Sequence, residues 1–484
     1  MNPHEPQDVE GFLDAAREAA EGVLTASSAT VIAHIDADGV SAASIASSAL
    51  ARAGIEHRVR FVKKLDEEEA ARANKEESEA IWMVDLGSSL FSKLEHQVVC
   101  VTDHHIPQAH ADTALPKGGD LLSFTSMGFH VNPHLFHIDG AIELSGAGTT
   151  YAVAKNMDPR NQALAPLAIV GAVGDLQDSA TCKLRGFNRK ILADGEHIGS
   201  LKMQRDLRLF GRESRPVWRM LQYSTDPMLP GLTNNEEGCI SFLRSLGIEL
   251  KQGDDWRFWV DLTFEERKTI ATALCELLLD RGNGHAGVRR LIGEVYTLEK
   301  EAKRTELHDA KEYSTLLNAC GRYDRASTGL SICCGDRGEA YSNGKTLLQN
   351  HRGNLAEAIS LVRELGVQRR GHLQWFHGRD EILDSIVGIV AGMVLGSGEV
   401  PMDVPMVAFA FAEDEKVKVS TRGTRQLVES GLDLARAVKL ASEKVGGIGG
   451  GHNIAAGATI AMGKEEEFLD AIDAVIASQL RPSE

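Results

Sequence analysis

The stretch TVIAHIDADGVSAASIASSALARAG, residues 30–54, reads as a strand that ends in three chemistry-bearing side chains and turns directly into a helix. Thr30 to Ile35 is a short apolar, β-branched run of strand length, and VSAASIASSALARAG behind it has the small-residue spacing of a packed helix. His34, Asp36 and Asp38 lie at the junction. Working outward, similar runs occur at His57–Val62, Ala80–Val84 and Gln97–Val101, separated by segments that suit helices. Alternation of this kind predicts βαβ units and an α/β fold built on a parallel sheet. The charged run LDEEEAARANKEESEA reads as the solvated face of one such helix. SGAGTTYAVAK, from Ser145, and QALAPLAIVGAVGD, from Gln162, read as two packed helices with Asp175 at the end of the second.

Beyond about Ile198 the texture changes. RDLRLFGRESRPVWRM carries Arg205, Arg208, Arg212, Arg215 and Arg219 against Asp206 and Glu213, the densest positive patch of the chain. Proline and glycine then mark a loop, and residues 235–310 read as mainly helical, with a capping-box pattern at Thr263 and Glu266. A final α/β domain is expected from Asp309, with strands from Asp403 and Glu415, a glycine-rich GGIGGGHNIAAGATIA and a closing helix. The expected division is 1–200, 201–308 and 309–484. A chain of 484 residues suits two or three such domains.

Composition narrows the function classes. Hydrophobic residues at 43% and charged residues at 25% support sizeable cores and argue against wholesale disorder. The 52 basic and 69 acidic residues leave a net charge of -17, so nucleic acid is not held by diffuse positive charge and any contact must be local. Seven scattered cysteines without a C-x-x-C pair point to reduced thiols. No run of 18 apolar residues is present, and MNPHEPQDVEGF lacks the features of a secretory signal; a cytoplasmic protein without membrane contact is expected.

The strongest chemical signal is positional. His34, Asp36 and Asp38 follow the first strand, Asp85 in MVDLGSS the third, and Asp103, His104 and His105 in VTDHH the fourth. Ligands of open α/β sheets bind beyond the carboxyl ends of the strands, so three separate stretches point at one crevice. Each piece alone has a plain alternative: an Asp after a strand is a common helix N-cap, and a His in an apolar strand is commonly a core residue. Together they would crowd carboxylates and imidazoles unless cations compensate. Asp and His without Cys suit Mn²⁺ or Mg²⁺, and less specifically Zn²⁺ or Fe²⁺. In the last domain, Gly449, Gly450 and Gly451 permit close backbone approach to a phosphate, with His452 beside them, although such a run is also a common tight turn. Arg422 in KVSTRG ends a strand, where a guanidinium suits phosphate or a surface ion pair. Asn318 and Arg322 in LLNACGR are weaker substrate-binding candidates that suit a helix terminus equally well.

HIDADG, VDLGSS, VTDHH and GDLQD, in that order, resemble the four motifs of the DHH phosphoesterase superfamily, and GGIGGGHNIAAG resembles the signature of its DHH-associated second domain. RPVWRMLQYSTDPMLPGLT and EYSTLLNACGRYD further resemble archaeal RecJ-like exonucleases of the GINS-associated nuclease type. That group is related to a eukaryotic replicative-helicase component that has lost its catalytic motifs; here each motif is intact. The resemblance implies an N-terminal parallel-sheet DHH domain, a helical insertion, a C-terminal α/β domain and an active cleft between the two. It implies two divalent ions, Mn²⁺ first and Mg²⁺ second. His34, Asp36 and Asp85 would hold one, and Asp38, Asp85, His104 and Asp175 the other, with Asp85 bridging. His105 would face the scissile phosphate, Asp103 would orient its neighbours, and Arg422 would contact substrate.

The function expected from this is a two-metal exonuclease acting on single-stranded DNA or RNA in replication or repair. Two alternatives stand beside it: a phosphodiesterase for short oligonucleotides or cyclic dinucleotides, and a replication scaffold whose nuclease activity is secondary. The expected partners are single-stranded nucleic acid and the GINS complex, docked on the helical insertion.

Overall fold

The computed structural model describes residues 6–107, 127–224, 226–280 and 284–480. Thr225 of the quoted RecJ-like stretch, residues 281–283 of the insertion and residues 1–5 of the amino terminus lie outside them. The chain divides into two compact units, Met1–Leu348 and Gln349–Glu484.

The first unit is built on five parallel strands, β1 (Ser28–His34), β2 (Glu56–Val62), β3 (Ala80–Val84), β4 (Val98–Thr102) and β5 (Met127–Val131), in the order β2-β1-β3-β4-β5. Both faces are covered, as parallel sheets require. Val31, Ala33, Trp82, Val84 and Cys100 point into a large core under the helices Val9–Val23, Ala37–Ala53, Gly146–Met157 and Ala165–Gly174. Their alternates Ile32, Ile81, Met83, Val99 and Val101 meet Ala70, Ala73, Leu86 and Leu94 on the other face. The period of two in these strands is thus a period of two cores. Each fully buried aliphatic or aromatic side chain contributes about 1.5–3 kcal/mol. The four expected strands are present within one or two residues, and β5 is additional.

Within the same unit, residues 201–298 begin and end in a two-stranded antiparallel ribbon, β6 (Leu201–Leu207) with β9 (Ile292–Leu298). Between them the helices Val217–Gln222, Glu236–Ser245 and Phe264–Asp280 form a separate core around Trp218, Leu221, Leu243, Trp259, Leu274 and Leu278. A small hairpin, β7 (Lys251–Gln252) and β8 (Asp255–Trp256), sits on it. The capping box is present: Thr263 Oγ1 accepts the Glu266 amide at 3.3 Å and the Glu266 carboxylate accepts the Thr263 amide at 2.8 Å. The helices Ala310–Arg322 and Ala326–Cys333, expected with the final domain, instead place Leu316, Leu317 and Ile332 in the core of the first sheet. The sequence pattern marked their apolar face but not the face that receives it.

The arginine-rich stretch also differs from expectation. Arg208 pairs with Asp178, and Arg212 reaches Asp206 and Asp309 at 2.9 Å each; both arginines are buried. Arg215 stacks on Phe210 and Tyr223. Arg208, Arg212 and Arg215 are thus engaged within the fold, while Arg205 and Arg219 of the same stretch are exposed.

The second unit carries a six-stranded sheet, β10 (Gln368–Arg370), β11 (Leu373–His377), β12 (Met406–Ala412), β13 (Lys416–Arg422), β14 (Ile448–Gly451) and β15 (Ala455–Ala461), in the order β10-β11-β12-β13-β15-β14. β11 and β12 pair in parallel, and the other neighbours in this sheet are antiparallel. Val407, Phe409, Val417 and Val419 pack under the helices Leu434–Lys444 and Glu465–Gln479, while Met406, Ala408 and Ala410 pack against Val387–Gly396.

Candidate metal centre

Register brings the motifs together. Ala33 pairs with Val84 and Val84 with Thr102, so β1, β3 and β4 end side by side and release His34, Asp85 and Asp103 at one edge. Asp36 then caps the helix Ala37–Ala53, its Oδ1 accepting the Gly39 amide at 2.9 Å, and Asp38 sits in the first turn. Asp36 is thus the helix N-cap that the plain alternative described, and its second oxygen lies 3.0 Å from His34 Nδ1.

Asp38 is buried, and its two oxygens accept the amides of Gly146 and Ala147 at 2.7 and 3.0 Å. The N-terminus of the helix Gly146–Met157 therefore aims its free donors at this carboxylate. Gly146 is required there: a Cβ would stand 2.6 Å from Asp85 Oδ1. Asp85 itself adopts a left-handed backbone, φ 59°. Its amide donates to Thr102 O at 2.9 Å, fixing a conformation that few non-glycine residues adopt.

His104 is oriented from behind. Its Nδ1 lies 2.7 Å from Gly140 O, which leaves Nε2 facing Asp85 Oδ1 at 3.3 Å and Asp38 Oδ2 at 3.8 Å. Asp175 Oδ2 stands 3.7 Å from Nδ1 and accepts from Gln177 Nε2, which also donates to Gly140 O. Asp103 faces away from the cluster and organises it: its carboxylate accepts the amides of Ser88, His104 and His105 and holds His105 Nδ1 at 2.8 Å. His105 is the exposed imidazole of the pair.

The electrostatics report strain among like charges. Burial, reinforced by Asp85, pushes the Asp38 carboxyl well above the carboxylate range, and burial lifts Asp175 to about 6. For His104, burial opposes protonation, but Asp85, Asp175 and Asp38 outweigh it and raise its pKa well above the ordinary value. The hydrogen bond that His105 donates to the Asp103 carboxylate raises His105 to about 9. Burial would also raise Asp36, yet His34 outweighs it and holds the carboxyl low.

Three sets of donor atoms lie within 4.8 Å of one another: His34, Asp36 and Asp85; Asp38, His104 and Asp175; Asp85, His104 and His105. His34 Nδ1 and both oxygens of Asp85 are buried without a hydrogen-bond partner among the described residues, an expensive arrangement that a cation relieves. The donor set fits hard divalent ions.

The helix Ala310–Arg322 completes the surroundings. Asn318 Oδ1 accepts the Ala37 amide at 3.0 Å, and the Arg322 guanidinium is close enough for its charge to act on Asp36. Gln177 and Gly140 were not singled out in the sequence; Gln177 at least stands inside GDLQD, whereas nothing marked Gly140.

In the second unit, Arg422 ends β13, its Nη1 bonded to Thr421 O at 2.8 Å, beside Gly388 and Gly392. Gly449, Gly450 and Gly451 form the edge strand β14, paired with Ala458, Gly457 and Ala456, instead of a tight turn. Of the three only Gly451 has a positive φ, 145°. Their lack of side chains leaves the backbone of a sheet edge exposed. His452 follows, exposed, its amide bonded to Ala455 O.

Residues 209–292 match the DHH-CID domain and residues 375–478 the DHHA1 domain. An uncharacterized protein of Methanocaldococcus jannaschii is 28% identical over 458 residues, covering 93% of this chain and 94% of its own length. RecJ of Thermus thermophilus, solved with Mn²⁺, superposes with a TM-score of 0.56 at 18% identity over 100% of this chain; the chain spans 56% of that protein. CDC45 of Entamoeba histolytica superposes with a TM-score of 0.60 at 12% identity, over 97% of this chain and 98% of its own. Among the described residues no helix is long and apolar enough to cross a membrane. Two family-model domains of the DHH type, at 209–292 and 375–478, beside a parallel sheet whose strand ends converge on one Asp/His cluster, support a DHH-superfamily protein with the fold shared by RecJ and CDC45.

Proposed function

We propose that this protein is a metal-dependent exonuclease that hydrolyses phosphodiester bonds of single-stranded DNA or RNA, in replication or repair. The observation that carries the reading is the buried Asp/His cluster with its orphaned Asp85 oxygens and His34 nitrogen. In this reading His34, Asp36 and Asp85 hold one ion and Asp38, Asp85, His104 and Asp175 a second, Mn²⁺ before Mg²⁺. Bound ions of this kind supply Lewis-acid charge at the phosphodiester and make a water a better nucleophile. The chain's own residues do the rest. Gly140 keeps His104 in the tautomer that offers Nε2, and Asp103 keeps His105 protonated, so that its Nε2–H donates to a phosphate oxygen. Arg422, His452 and the exposed edge Gly449–Gly451 are assigned to grip of the strand backbone, with Arg322 as a further substrate candidate.

A second reading, a replication scaffold that binds the GINS complex, is favoured by the CDC45 likeness over nearly the whole chain. In this reading the inserted helical segment, around residues 235–310, is the docking surface. Digestion of end-labelled DNA and RNA strands with Mn²⁺ separates the readings. Mononucleotides released from one end support the exonuclease. Cleavage confined to very short or cyclic substrates transfers the site to a small-substrate phosphodiesterase. No cleavage, with GINS retained in a pull-down, establishes the scaffold.

A further inference from the structure

The turn that carries Asp36 and Asp38 is held from a segment 281 residues away. A helix begins with amides that have no partner inside it, and here two of them are accounted for by side chains. Asp36 Oδ1 takes the Gly39 amide, and Asn318 Oδ1 takes the Ala37 amide, which lies between the two ligand candidates. The contact is close along its length: a Cβ on Gly321 would stand 1.9 Å from Ile35 O, so the helix Ala310–Arg322 lies directly on the backbone joining His34 to Asp36. The same helix reaches the other ligand segment. A Cβ on Gly174, the residue before Asp175, would meet Ala37 at 2.7 Å and Ser314 at 3.2 Å.

This helix is itself anchored. Asp309 caps it by accepting the Lys311 and Glu312 amides, and the other Asp309 oxygen receives Arg212 Nη1 at 2.9 Å. Glu312 Oε1 accepts the Glu213 amide at 2.9 Å, and Glu213 pairs with His308 at 2.9 Å. A rigid, buried support behind the ligand turn is what a precise ligand geometry needs, since a misplaced carboxylate costs affinity even when it remains present.

We propose that Asn318 is a positioning residue of the metal centre, fixing the Asp36–Asp38 turn through the Ala37 amide, and not a contact of the substrate. The inference rests on the metal-binding reading above and is independent of which substrate is cut. The two roles predict opposite measurements. Mn²⁺ affinity is measured by calorimetry on the full chain without nucleic acid, and single-strand affinity separately in chelator. Asn318→Leu keeps the volume and removes the acceptor; it should weaken Mn²⁺ binding by roughly tenfold with strand affinity unchanged, whereas Asn318→Asp, which keeps an acceptor, should stay within about threefold of wild type. Should the Leu variant fail to give a cooperative melt, Asn318→Ala is compared with Asn318→Asp in its place. Unchanged Mn²⁺ binding in the variants without an acceptor, or equal loss in Asn318→Asp, overturns the positioning role. Wild-type protein that binds no Mn²⁺ overturns the metal reading and this inference together. Tight Mn²⁺ binding without strand cleavage overturns only the exonuclease.

Discussion

The first unit buries two clusters of aspartates and balances them in opposite ways. Asp178, Asp206 and Asp309 are paired with Arg208 and Arg212, guanidiniums of the same chain. Asp36, Asp38, Asp85 and Asp175 pair with imidazoles, His34 and His104, and Asp85 keeps both oxygens without a hydrogen bond among the described residues. Burying a carboxylate is costly unless it is paired or coordinates a metal. The first cluster meets that cost with fixed cations and is structural. The second is paired with imidazoles alone among the described residues, a donor set that suits hard cations, and burial raises its Asp38 and Asp175.

The largest effect expected from breaking this contrast is at Asp85. Asp85→Ala removes the carboxylate shared by two donor sets and should abolish hydrolysis, while the metal-free protein melts at or above the wild-type temperature because like-charge repulsion is relieved. Activity above a tenth of wild type, or a clear drop in the metal-free melt, would place Asp85 with the structural aspartates. Arg212→Ala should show the reverse pattern. Removing the buried guanidinium leaves Asp309 with the Lys311 and Glu312 amides and Asp206 with Trp259 and Arg267, at a cost of about 3–5 kcal/mol in a denaturant titration. A loss below about 1 kcal/mol would mean that water reaches the cluster when the arginine is removed.

Glu312 sharpens the comparison through pH. Burial, aided by Asp309, raises this carboxyl to about 8, and Oε2 has no hydrogen-bond partner among the described residues. Its unfolded value is near 4.3, so between those limits the folded chain keeps a proton that the unfolded chain has released. The Glu312 contribution to stability is therefore complete below the lower limit and is lost as pH rises toward 8, at a slope of up to ~1.4 kcal/mol per pH unit. Asn or Gln cannot ionise. Glu312→Gln should flatten that fall in melts taken from pH 5 to pH 9, and an unchanged slope would show that Glu312 is already ionised in the fold. The smallest effect belongs to the exposed pair Arg160–Asp158, which makes the same kind of contact in water. Arg160→Ala should leave the melting temperature unresolved from wild type, and a shift as large as that of Arg212→Ala would remove burial as the deciding variable.

Much of the metal centre was legible because strand ends are marked by abrupt chemistry. The runs ending at His34, Asp85 and Asp103 are apolar until a carboxylate or imidazole appears, and the parallel sheet then has only one edge on which to present them. What was not legible depends on partners distant in sequence. The Arg205–Arg219 stretch looked like a basic surface because Asp178 and Asp309 are remote from it in the chain. GGG at 449–451 looked like a turn because glycine alone does not reveal that Ala456–Ala458 lies beside it. β5, MGFHV, lacks the density of β-branched residues that marked the other four strands. LLNACGR suited a helix terminus or a substrate contact equally, and only the position of the Ala37 amide distinguishes them.

The pairs Arg208–Asp178 and Arg212–Asp309 also bear on modularity. All eight candidate metal-centre residues precede Leu201, so a fragment of the first 200 residues carries the whole inventory. It does not carry the counter-charge for Asp178, which is 5% exposed, nor the helix whose Asn318 secures the ligand turn. Chemical completeness and structural autonomy part company here. The shortest self-sufficient piece runs at least through Arg322, and exchanging the insertion for that of a distant relative requires bringing its arginines along or neutralising the aspartates they serve.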